Sequence, residues 1–117
     1  MDERSFRVTV RGSFDGLTDD QRAALLAEAA EHDVLNAAFT EQGRLTYDVA
    51  MRPFFTFRYL EHGSREEDIV AAGELAQAKA EQWLTERGYG YKGLKVSAED
   101  MALMPLAKRQ RKARAAG

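Results

Sequence analysis

The chain predicts an α+β fold of ferredoxin-like class: a two-layer sandwich with an antiparallel four-stranded sheet and two helices on one face. Three observations predict it. Four segments alternate apolar and polar residues at period two, two segments carry apolar stripes at helical spacing, and the order is strand, helix, strand, strand, helix, strand. Right-handed crossovers then place the first and third strands at the centre of the sheet.

The first strand is read from Phe6, Val8 and Val10, which share one face. The first helix starts at Thr18, whose hydroxyl is placed to accept from the amide of Gln21 while the Gln21 side chain reaches back. Asp19 and Asp20 follow where the helix dipole favours negative charge. Its stripe runs through Ala23, Leu26, Ala27, Ala30 and Val34. The second strand is read from Leu45, Tyr47, Val49 and Met51, and the third from Phe55, Phe57 and Tyr59. Between them Pro53 cannot donate to a ladder, so a hairpin turn or bulge belongs there.

The second helix repeats the capping signal at Ser64 and Glu67, followed by Asp68. Ile69, Ala72, Gly73, Ala76, Ala80, Trp83 and Leu84 then form one long stripe, which Gly88 ends as a left-handed stop. Small residues dominate the stripe, so this helix can lie close to a sheet. The last strand is read from Leu94, Val96 and Ala98.

At 117 residues the chain is long enough for one domain with its own core, expected over residues 1–104. Residues 105–117 are expected to form a flexible basic tail. There is no cysteine, which excludes disulfides, thiolate metal sites and a cysteine nucleophile. No apolar run approaches the roughly 20 residues that cross a bilayer, and the charged start lacks a signal-peptide core, so a cytoplasmic location and no membrane partner are expected.

The net charge of -2 hides a division. Five of the 17 basic residues, Lys108, Arg109, Arg111, Lys112 and Arg114, follow Pro105, where there is no acid. The other 12 face all 19 acids, so the body is acidic and the tail basic. A cluster that dense attracts polyanions, which makes a nucleic-acid or ribosome contact one expectation for the tail. It has no interleaved aromatic to stack on bases.

Two functions common on this architecture fail at the residue level. An RNA-recognition domain needs outward aromatics on its central strands, and this chain has Arg7 and Thr56 at those positions. Val10-Arg11-Gly12-Ser13-Phe14-Asp15-Gly16-Leu17 is similar to the phosphate cradle of acylphosphatases, but Asp20 stands where that family's arginine belongs, beside Asp19. His32 and His62 have no ligand-spaced or catalytic partners, so no metal and no cofactor is expected. Trp83 reads as core, and Tyr89 and Tyr91, between glycines, read as rings covering the core edge.

What remains is the sheet face without helices. Alternation places Arg7, Thr9, Arg11, Thr46, Asp48, Thr56, Arg58 and Lys95 there. Arg7, Arg11, Asp48 and Arg58 are the candidate ligand-binding residues, since arginine forks hold anions or pair with a neighbour's carboxylate. The expectation is a binding or interaction module, homodimeric through this face. The alternatives are a nucleic-acid or ribosome-associated factor acting through the basic tail and a cofactor-independent small-molecule enzyme of the dimeric α+β barrel type.

The stretches Phe6 to Gly12, Leu25 to Tyr47 with Glu31-His32-Asp33-Val34-Leu35 and Ala38-Phe39-Thr40, Phe54 to Arg58, and Asp100-Met101 resemble a family of small uncharacterised actinobacterial proteins, a domain of unknown function. The resemblance spans the chain to about Met104 and implies no activity, ligand or catalytic residue.

Overall fold

A computed structural model of the chain describes residues 3–102. Strand β1 (Arg4–Phe14), helix α1 (Asp19–Ala27), β2 (Arg44–Tyr47), β3 (Phe54–Gly63), α2 (Asp68–Glu86) and β4 (Tyr91–Asp100) follow in the predicted order. A single 3-10 turn, Val34–Asn36, lies between α1 and β2. The sheet runs β2-β3-β1-β4 with every neighbour antiparallel, so β1 and β3 are central, as a ferredoxin-like sandwich requires. No helix among the described residues is long and apolar enough to cross a membrane.

The period-two alternation is what builds the core. Phe6, Val8 and Val10 from β1, Leu45 and Tyr47 from β2, and Phe55, Phe57 and Tyr59 from β3 are buried on the helix-bearing face. Helix α2 lays Ala72, Ala76, Ala80 and Leu84 on them. Alanine at three successive turns lets the helix approach closely, and Trp83 meets Phe57 edge-on, 5.5 Å between ring centroids. Tyr89 stacks on Trp83 and covers the edge of the core beside Phe14. The helix ends as predicted, with Gly88 at φ 71°.

Helix α1 keeps its predicted cap: Thr18 Oγ1 accepts from the Gln21 amide at 3.1 Å and Gln21 Oε1 accepts from the Thr18 amide at 3.1 Å. Its predicted stripe is not the buried face. Leu25 is its one buried residue, while Ala23, Leu26, Ala27, Ala30 and Val34 are exposed. The reason is length. The helix stops after nine residues, so Ala30 and Val34 belong to the following turns and the stripe has no second half.

Polar ties compensate. Tyr47 Oη donates to the Leu25 carbonyl at 2.7 Å, and Gln21 Nε2 donates to the Gly88 carbonyl at 2.9 Å. Burial, with Glu28 nearby, pushes the Tyr47 phenol up to about 12. The folded state therefore favours the protonated ring, whose contribution is full below the unfolded phenol's value of about 10 and is lost as pH rises through the folded one. Tyr47→Phe is expected to cost about 1 kcal/mol at neutral pH. It should also reduce the alkaline loss of stability, measured by urea melts between neutral and strongly basic pH.

Two elements are bounded differently from the sequence expectation. Strand β2 stops at Tyr47 rather than running to Met51, because the Met51 and Arg52 amides both donate to the Asp48 carbonyl and close a turn. Val49 is buried as expected, but Met51 is exposed and Asp48 lies in the turn. Helix α2 lacks the Ser64–Glu67 box. Instead the Asp68 carboxylate accepts from the amides of Ser64 at 2.9 Å and Arg65 at 3.0 Å, and these bonds hold it below the usual carboxylate range.

Candidate functional site

The strand register sorts the open face into rows that cross the sheet. One row runs Arg44, Arg58, Thr9, Ser97, and the next runs Thr46, Thr56, Arg11, Lys95. A third holds Phe54, Ser13 and Lys92. Five cations occupy these rows and no carboxylate does. Along β4 the next acid on the face is Glu99, opposite Arg7 in the β1–β4 register.

Lys92 reaches this face through a bulge. Simple alternation puts Lys95 on the open side and Lys92 on the helix side, but pairing shifts by one residue between Arg11, opposite Lys95, and Ser13, opposite Lys92. Gly93 supplies the necessary backbone at φ 66°. Both lysines thus stand on one side of the sheet.

Two hollows lie here. A groove of about 530 Å³ is lined by Thr46, Tyr47, Asp48, Phe54, Thr56 and Arg58 from the strands and their turn, by Met51 and Arg52, and by Ala29, Asp33 and Val34 from the α1–β2 connection. A second of about 550 Å³ is lined by Arg11, Gly12, Ser13, Phe54, Phe55, Thr56, Lys92, Gly93 and Lys95. Phe54 and Thr56 line both, so the two share a wall. Val34, Met51 and Phe54 are all largely exposed, with Phe54 at 55% and Met51 at 78%.

Arg58 sits at the join. Its Nη1 donates to Thr46 Oγ1 at 2.8 Å, a neutral partner. Burial and, secondarily, the Arg11 guanidinium pull its pKa below the usual arginine value. Among the described residues Arg11, Arg58 and Lys95 have no ion pair, and Lys92 Nζ has only the exposed Asp15 carboxylate at 3.8 Å. Arg44 donates to the Glu31 carbonyl, while its buried Nε has no partner.

The four sequence candidates therefore divide. Asp48 and Arg58 line the groove, Arg11 lines the adjoining hollow, and Arg7 stands farther along β1, 5.2 Å above the Phe39 ring. Arg44, Lys92, Val34, Met51 and Phe54 were not among the candidates. A glycine inside the last strand was the one signal for Lys92. The histidines serve structure: His32 Nδ1 bonds the Leu45 carbonyl at 2.9 Å and its ring stacks on Tyr47, while His62 Nε2 meets Glu41 at 3.0 Å. No cluster of three metal-ligating side chains occurs among the described residues. The basic tail residues Lys108, Arg109, Arg111, Lys112 and Arg114 lie outside the described residues.

Comparison with protein families matches residues 1–112 to a family of unknown function, DUF6204. The chain belongs to that family. No curated protein and no solved structure matches this DUF6204 chain.

Proposed function

We propose that the chain is a binding module whose open sheet face holds a small ligand in the groove between the β2–β3 turn and the α1–β2 connection. The observation that carries this reading is the convergence of three exposed apolar side chains, Val34, Met51 and Phe54, on a groove with the half-buried Arg58. Apolar surface gathered beside a few polar groups marks a binding site more often than scattered exposure does. The volume, about 530 Å³, falls in the range of small-molecule sites. Binding is favoured over catalysis because both histidines are engaged in structural bonds.

A second copy of the chain is the competing occupant, favoured by Leu35, which is 90% exposed next to Val34. A two-fold contact centred on the cationic rows would set them against their own copies, which argues for the ligand. Nile red, a neutral apolar dye, is expected to brighten and shift to the blue with the wild-type chain and to lose most of that signal with Met51→Ser/Phe54→Ser. Both residues are exposed, so the fold should survive, as circular dichroism would check. A signal unchanged in the double variant would overturn the groove. Light scattering at twice the 13.1 kDa chain mass, with loss of dye binding on self-association, would instead favour the second copy.

A further inference from the structure

We infer that the ligand of this groove carries an oxyanion, a phosphate or a carboxylate, seated in the adjoining hollow over Arg11, Lys92 and Lys95 while its apolar part lies along Phe54. The inference rests on the groove reading above and adds the chemical class of the ligand.

The fold maintains an unfavourable arrangement of charge. Arg11 and Lys95 are directly opposed across β1 and β4, and Arg44 and Arg58 across β2 and β3. Like charges facing each other across a sheet destabilise it. Neutral partners at either position would remove that cost. The bulge at Gly93 adds to it by turning Lys92 onto the same face.

The surroundings offer little relief. The hollow has no carboxylate in its lining, and the Asp15 contact to Lys92 is exposed and 3.8 Å long. The carboxylates of the face lie outside that lining. Asp33 and Asp48 line the groove rather than the hollow, with Asp33 Oδ1 accepting from the Leu35 amide, and Glu99 stands opposite Arg7 in the β1–β4 register. Outside its last residues the chain holds 12 bases against 19 acids, so five cations in three adjacent rows are a local concentration against an acidic background. An oxyanion there would accept from Arg11 and both lysines at once, in charge-assisted bonds that neutral hydroxyls cannot match. The shared Phe54 wall fixes the direction in which the rest of the ligand extends.

The test uses three probes that share one ring: 2-naphthyl phosphate, 2-naphthoate and 2-naphthol, titrated into the full chain by fluorescence. The two anions are expected to bind on the order of tenfold more tightly than naphthol at about 50 mM salt, with the advantage narrowing at about 500 mM. The tighter of the two identifies phosphate or carboxylate as the group held. Arg11→Gln, an exposed position, should remove most of the advantage, bringing the two anions toward the affinity of naphthol. Lys92→Gln/Lys95→Gln should do the same. Equal binding by all three probes would overturn the anion while leaving the groove in place. Binding by none of them would overturn the groove reading itself.

Discussion

Lys79→Met is expected to destabilise the chain by about 2 to 3 kcal/mol and to lower its Tm by roughly 10 °C. Glu61 continues the inward alternation of β3, which places a carboxylate on the helix-bearing side of the sheet where it is 5% exposed. Lys79 from α2 meets it at 2.8 Å, also donates to the Glu41 carbonyl at 3.3 Å and lies 5.6 Å from the centre of the Tyr59 ring. Methionine keeps the aliphatic stem and removes only the charge. The stranded carboxylate then bears its desolvation cost alone. The lysine side chain is 35% exposed, so water reaches one end of the pair and the loss falls at the lower end for buried pairs. Adding Glu61→Leu should recover most of it, because the double variant replaces the pair with apolar contacts. Urea melts of both variants decide the matter: a single variant within 0.5 kcal/mol of wild type, roughly the scatter of a neutral surface change, would mean that Glu61 is not dry.

Gly43→Ala should cost about 3 kcal/mol for two separate reasons. Gly43 has φ 88°, where a side chain costs about 1 to 2 kcal/mol of backbone strain. A Cβ there would also fall on the Tyr59 ring, which is 2% exposed and stacked on Phe57 at 6.1 Å. The ring has no room to move, and overpacking of this kind adds about 1 to 3 kcal/mol. Gly16 separates the two effects, since it has φ 65° and nothing near its missing Cβ. Gly16→Ala should therefore show the backbone cost alone. Equal losses at the two positions in denaturant melts would rule out the clash with Tyr59.

The strands were legible because burial on one face imposes a period that the sequence cannot hide. Phe6, Val8 and Val10 could be read from spacing, and so could the Ala72 to Leu84 stripe. Thr18 and Gln21 were legible for a similar reason, because a capping box is a local bargain between two nearby residues. Helix α1 misled because Leu26, Ala30 and Val34 have helical spacing, yet the chain leaves the helix after Ala27 and holds it by Tyr47 and Gln21 instead. Those bonds join residues far apart in sequence and leave no periodic trace.

The candidate site was half legible for the same physical reason. Alternation placed Arg11, Arg58 and Lys95 on the open face, but pairing Arg11 with Lys95 and Arg44 with Arg58 depends on register, which no single strand states. Lys92 depends on the bulge at Gly93. The groove's other wall comes from the α1–β2 connection, where Val34 belongs to a 3-10 turn whose N-cap is Asp33. Irregular segments of this kind carry binding residues without announcing them by period.

The most direct test of the open-face site is a map of backbone amide shifts as 2-naphthol is titrated into the isotope-labelled chain. The largest changes are expected at Thr46, Phe54, Thr56 and Arg58, with the α2 amides from Ala72 to Leu84 unmoved. Changes centred on α2, or spread evenly over the chain, would contradict that site.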